Sequence, residues 1–226
     1  MINELGRRLQ ASLRTSGAST EADFLAAAKP IVLWADFLER AEIGACPMVL
    51  HALRSVIAEA CACAAMGLAR PTLTVLRAEI DVALVWIYYS EHPREWRNIN
   101  VSSDGFKLKS ELLRTFEGIE PAFKRRFSIL KLQKTRTEDD PYRLLSAHVH
   151  LQNESVFPSM SCLADVVQPQ LNVQIVALQA EVSEYINDLF FSMYAGDWVA
   201  LPAELTLPLR ARMATPAQYA EFIRPI

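Results

Sequence analysis

The sequence predicts an all-α fold. Apolar residues recur at a spacing near 3.6, no stretch alternates convincingly with period two, and prolines and glycines sit between the periodic segments. A chain of 226 residues suits one large domain with at most a small appendage, and 51% hydrophobic residues are enough for a sizeable core. The expected architecture is a bundle of six to eight helices over residues 1–200, with a small C-terminal extension over 201–226 that holds one short helix.

A first helix is expected near Asn3 to Thr15. A second begins at Thr20, where Thr20-Glu21-Ala22-Asp23 offers an N-cap with an acid three residues on, and Pro30 should kink or split it. The third covers Pro47 to Ala69, with small side chains from Ala58 to Ala65 that would let a neighbour approach closely; the fourth covers Pro71 to Glu91. A polar connection, His92 to Gly105, leads to helices near Phe106–Glu117 and Glu120–Arg136. Asp139-Asp140-Pro141 then starts a shorter helix over Tyr142 to Leu151, since acids and a proline favour a first turn. Residues 152–170 read as loop. From Leu171 a long helix runs to about Ala195, and Leu171, Ile175, Leu178, Val182, Tyr185 and Leu189 form a seam at alternating four and three spacing. That seam is either the inner face of an intrachain bundle or a dimer interface. Thr215-Pro216-Ala217-Gln218 introduces the last helix in capping-box form.

The seven glycines exclude several chemistries. None lies within ten residues of another, so the dinucleotide fingerprint, the Walker A loop and the Gly-x-Ser-x-Gly elbow are absent. The four cysteines show no Cys-x-x-Cys, and Cys61 and Cys63 would point about 200° apart on a helix; all four are expected to be reduced, buried small hydrophobes. The four histidines give no His-x-x-x-His or Glu-x-x-His pair, so neither a metal nor another cofactor is expected. Charge near the N-terminus, and a longest apolar run of eight residues from Val82 to Tyr89, point to a cytoplasmic protein without a membrane span.

Charge is uneven. Between Phe106 and Arg136 nine basic residues face three acids, so a chain of net charge −3 carries one segment of +6. Lys124, Arg125, Arg126, Lys131 and Lys134 are its candidate RNA contacts, because local field rather than net charge steers a polyanion. The alternative is a solvated face paired with acids elsewhere in the fold. In the adjoining polar connection, Trp96 between Arg94 and Arg97 would either stack a base or close the end of the bundle.

On the fourth helix Arg77 falls within the apolar arc of Leu73, Leu76, Ile80, Leu84 and Ile87, with Asp81 one turn on as an ion-pair partner. It is either a satisfied arginine that fixes helix register or a contact for a phosphate or carboxylate. The richer segment is Tyr142-Arg143-Leu144-Leu145-Ser146-Ala147-His148-Val149-His150. Arg143 and His150 differ by only about 20° on a continuous helix and stand two turns apart on one face, with Ser146 between them; His148 is about 140° away from Arg143. A histidine moves protons near neutral pH and an arginine holds a phosphate through two parallel donors, which is most of what RNA cleavage by its own 2′-hydroxyl requires.

This stretch resembles the HEPN superfamily of small helical proteins, whose signature is an arginine followed after four to six residues by a histidine. Both Arg143 to His148 and Arg143 to His150 satisfy it. The context also resembles HEPN-like families with an Arg-x-Glu helix, here Leu76-Arg77-Ala78-Glu79, and a later Leu-Ser-x-x-Val-His, here Leu145 to His150, in which His150 matches the family histidine. The resemblance implies a metal-independent endoribonuclease acting as a homodimer, in which two Arg143/His150 pairs meet in a shared cleft and Tyr142 and Ser146 orient them. It also implies a toxin or antiphage-defence setting, with an antitoxin or defence-system protein as partner. Leu144 stands where active members usually carry a polar residue, and other HEPN-like proteins are non-catalytic interaction or dimerisation modules, which is the alternative reading. A third is a small-ligand or nucleotide sensor with Arg77 and Asp81 at its anion contact.

Overall fold

Regular turns of helix follow the periodicity almost everywhere. A computed structural model describes residues 1–44, 46–105, 107–156 and 158–224, and among these it contains α-helices, short 3₁₀ turns and one π-helical turn, with no strand. The α-helices are α1 (Ile2–Ser12), α2 (Ala18–Arg40), α3 (Pro47–Ala65), α4 (Ala69–Glu91), α5 (Pro93–Ser102), α6 (Lys109–Ile119), α7 (Phe123–Leu132), α8 (Pro141–His150), α9 (Asn172–Tyr194), α10 (Ala203–Arg212) and α11 (Pro216–Ile223). A π-helical stretch, Leu13–Gly17, joins α1 to α2, so these eleven segments make ten separate helices, more than the six to eight expected.

The differences have local causes. Thr20 does not cap a new helix: the chain is already helical there, and its buried hydroxyl accepts a hydrogen bond from Asn172 Nδ2 at 3.0 Å. Pro30 lies inside α2 without splitting it. The segment from His92 contains α5, because Pro93 at the first turn needs no N–H partner and Ser103 ends the helix in the left-handed conformation. The C-terminal segment holds two helices, as α10 accommodates Pro208 internally. α3 stops at Ala65 because Gly67, at φ +74°, closes the helix with its N–H on Ala64 O and that of Leu68 on Cys63 O. A Cβ there would lie 3.1 Å from the backbone nitrogen of Pro169, so glycine also permits that close approach. The capping box at Thr215 forms as the sequence implies, with Gln218 N–H on the threonine hydroxyl.

The chain divides into two compact units: Met1–Lys29, Arg54–Ile80 and Glu138–Ser183 make the first, and Pro30–Leu53, Asp81–Thr137 and Glu184–Ile226 the second. The first buries Phe24, Ile57, Leu76, Ile80, Leu145, Ile175 and Val182. The second is aromatic: Trp34 meets Phe191 edge-on at 4.9 Å and Phe190 at 5.4 Å, and its indole N–H donates to Asn187 Oδ1 at 2.7 Å. Phe222 of α11 is fully buried there too. On the α9 seam Ile175, Val182, Tyr185 and Leu189 are buried within the chain, as an inner bundle face requires. Cys46 and Cys61 are buried and unpaired, whereas Cys162 is exposed, correcting the expectation that all four cysteines are interior. Among the described residues one helix, α3, is long and apolar enough to cross a membrane by length and composition alone.

In the first unit Glu79 is fully buried on α4. It accepts from Gln179 Nε2 at 2.9 Å, and the same amide also donates to Ser183 Oγ at 3.1 Å. Among the described residues no cation pairs with it, and burial pushes its carboxyl up to about 8, only partly opposed by the Gln179 bond. Because the folded-state value lies above the ordinary 4.5, this group's contribution is fully present below pH 4.5, declines as pH rises through about 8, and is then constant. Glu79→Gln should therefore gain stability relative to wild type as pH rises from 5 to 9; a pH-independent difference between their denaturation midpoints would show that Glu79 is not a buried, neutral acid.

Candidate functional site

α8 begins where the sequence places it. Asp140 precedes the helix, Pro141 takes the first turn, and Arg143 N–H donates to Asp140 O at 3.0 Å. Pro141, Leu145 and Ser146 are buried, which turns Arg143 and His150 outward, and both are exposed. Seven residues of helix separate them by about 10.5 Å along the axis. The Arg143 side chain makes no ion pair or hydrogen bond among the described residues, and it lines a 390 Å³ cleft with Glu138, Leu144, Ala147, Gln152 and Asn153. His150 does not line that cleft.

Tyr142 and Ser146 hold Arg77 rather than orienting the Arg143/His150 pair. Arg77 Nε donates to Ser146 Oγ at 3.0 Å, Nη2 donates to the Tyr142 hydroxyl at 2.7 Å, and the guanidinium carbon lies 4.8 Å from the centre of the Tyr142 ring. Arg77 on one side and Tyr142 and Ser146 on the other, singled out for separate reasons, thus meet in one brace between α4 and α8. Asp81, one turn further along α4, is half-buried.

His148 turns away from Arg143. It is half-buried and lines a different recess with Arg70, whose Nη2 donates to the His148 carbonyl at 3.4 Å. Burial and the neighbouring Arg70 both hold the His148 imidazole below its usual range. Arg70 carries no motif and gave no signal in the sequence; only the fold places it beside α8.

The basic segment is largely occupied by the chain itself. Arg126 is 2% exposed and donates to the carbonyls of Phe222 and Ser192, with Glu120 at 3.6 Å. Arg125 pairs with Glu221 at 3.1 Å and donates to Arg224 O. Lys134 donates to the carbonyls of Arg136 and Thr137. These three candidate RNA contacts are therefore used within the chain, Arg125 and Arg126 by acceptors remote in sequence and Lys134 by carbonyls of the turn that follows it. Lys124 and Lys131 are exposed, Lys124 with Glu117 at 3.8 Å. Trp96 is half-buried against Tyr89 at 5.4 Å, the packing alternative expected for it. Among the described residues no three His, Cys, Asp or Glu side chains are grouped to hold a metal.

The most demanding electrostatic feature was not legible in the sequence. Asp188 of α9 has a fully buried side chain, held by Arg136 Nη1 at 2.5 Å and Arg212 Nη1 at 2.8 Å. Glu184, one turn earlier, takes Arg136 Nη1 at 3.0 Å and Arg212 Nη2 at 3.4 Å. Burial pushes the Asp188 carboxyl up, against the pull of both guanidinium groups. Asp188→Asn leaves two arginines facing a neutral amide, and urea denaturation should show a loss of about 3 kcal/mol or more, as for a broken buried pair; a change within the noise of the midpoint would mean that solvent, not Asp188, satisfies Arg136. Comparison with family models, with curated proteins and with solved structures finds no match, so these residues alone carry the functional reading.

Proposed function

We propose that the chain is a metal-independent endoribonuclease of HEPN type, acting as a homodimer, with Arg143 and His150 at the scissile phosphate. The observation that carries this reading is their joint exposure on one face of α8, with the Arg143 guanidinium unclaimed by any described side chain. An imidazole and a guanidinium about 10 Å apart at the backbone can converge on one phosphodiester, because both side chains reach several ångströms outward.

In this chemistry His150 removes the proton from the 2′-hydroxyl, the 2′-oxygen bonds to phosphorus, and the bond to the 5′-oxygen breaks. That oxygen takes a proton from an imidazolium, and the products are a 2′,3′-cyclic phosphate and a 5′-hydroxyl. Arg143 holds the non-bridging oxygens and stabilises the charge that builds on them. A dimer supplies a second pair, and with it both the base and the acid. Exposed Lys124 and Lys131 would contribute to RNA attraction; Arg125, Arg126 and Lys134 would not, since the fold already uses them. A toxin or antiphage-defence role, in the cytoplasm and under an antitoxin or defence-system partner, is the setting that this reading implies.

That internal use of the basic segment favours a second reading, a non-catalytic interaction or dimerisation module. A nucleotide sensor built on Arg77 has less support, because Tyr142 and Ser146 occupy its guanidinium. The two leading readings separate in one experiment. Wild type should cleave a long RNA in chelator, leaving cyclic-phosphate ends. His150→Ala and Arg143→Ala should each lower the rate by about 100-fold or more, with little change in melting temperature because both side chains are exposed. Intact RNA at high protein concentration, or cleavage indifferent to both substitutions, would leave the module reading in its place.

A further inference from the structure

We propose that the recess beside the end of α8 is a binding site for a small aliphatic anion, with Arg70 holding its carboxylate or phosphate head and a hydrocarbon body packed against Leu73, Met160 and Leu171. The recess lies within the first unit and has a volume of 300 Å³. At about 30 Å³ for each water-sized group, it accommodates roughly ten heavy atoms.

Its lining sorts into two kinds of surface. Arg70, His148, Gln168 and two serines supply the polar part, and none of the described lining residues is acidic. Among the described residues no carboxylate pairs with Arg70, whose one hydrogen bond is the 3.4 Å contact to the His148 carbonyl. A guanidinium has five N–H donors in a planar fork, so most of this one is available to a two-oxygen acceptor. Elsewhere in the chain half-buried and buried arginines are answered: Arg77 by Tyr142 and Ser146, Arg136 by Asp188, and Arg212 by Glu184 and Asp188. Arg70 departs from that pattern at the one place where it lines a recess. The His148 imidazole shares the recess, and its ring N–H is a further donor for a bound oxygen.

The remaining wall selects the body of the ligand. Leu73, Val156, Pro158, Met160 and Leu171 are aliphatic or thioether side chains, and no aromatic ring is among the described lining residues. A flexible hydrocarbon suits leucine, valine and methionine side chains of this kind. The chemistry therefore favours a short alkyl carboxylate or alkyl phosphate. It does not depend on RNA cleavage at Arg143 and His150, which lie outside this recess.

Titration calorimetry of the full chain with octanoate, octyl phosphate and octanol tests the site. At least one of the two anions should bind, and the one that binds more tightly identifies the head group. Arg70→Gln should weaken it by about tenfold or more, as expected for a lost charge-assisted hydrogen bond, while Arg143→Gln leaves it unchanged. Leu73→Trp, which fills the recess from its apolar wall, should also abolish binding, and melting curves establish that each variant is folded. The His148 ring resonances should move on adding the anion. Failure of both anions to bind, equal binding of octanol, or undiminished binding to folded Arg70→Gln or Leu73→Trp would overturn the assignment.

Discussion

The buried acids of α4 and α9 set the terms for the rest of the molecule. Asp188 and Glu79 are fully buried carboxyl groups, and a buried carboxylate is costly unless it is paired or protonated. The chain uses both solutions. In the second unit Asp188 stays with two arginines, Arg136 and Arg212, and the latter also donates to the carbonyls of Gln133 and Leu130. In the first unit Glu79 has an amide and a raised proton affinity instead. The Asp188 solution fixes the loop after α7 and the end of α10, since neither arginine could leave without exposing the carboxylate to an apolar interior.

That constraint determines which cations remain for function. The segment between Phe106 and Arg136 looks like a polyanion track when its nine basic residues are counted along the chain. In space, Arg126 and Arg136 are interior groups, and Arg125 ties α7 to α11. Charge count along a sequence measures what the chain carries, but not which side of the surface it ends on. Burial decides that, and the acids that answer Arg125 and Arg136 are 48 to 96 residues away. Arg143 and Arg70 take no part in this system and lie in the other unit, Arg143 on α8 and Arg70 on α4 beside His148.

How far the sequence reveals this depends on the range of the interaction. Helical periodicity and proline or capping signals act within a few residues, and α4, α8, α9 and α11 begin within about two residues of the expected positions. The same local rules misjudge Thr20 and the His92 segment, where tertiary packing and a left-handed stop decide the outcome. Within the candidate site, the common face of Arg143 and His150 follows from spacing alone. The roles of Ser146 and Tyr142 do not, because their partner, Arg77, is 65 to 69 residues distant. Arg70 was illegible for the same reason: a lone arginine at the start of a helix has no meaning until a recess forms around it.

The Arg77 brace connects these observations to the proposed chemistry. An exposed arginine and histidine on a mobile helix would sample many separations, and the entropic cost of bringing them to one phosphate would fall on each turnover. Here the opposite side of α8 is fixed by buried Pro141, Leu145 and Ser146, and Arg77 adds two hydrogen bonds and a ring contact to successive turns of that helix. The exposed face is therefore held from behind by groups that do no chemistry, while its own side chains remain available. The arrangement also explains why Ser146 and Tyr142 sit among candidate catalytic residues in the sequence without sharing their exposure: alternating positions on one short helix serve two opposite surfaces. A half-buried guanidinium needs acceptors in any role; because those of Arg77 stand on successive turns of α8, meeting that need also orients the helix.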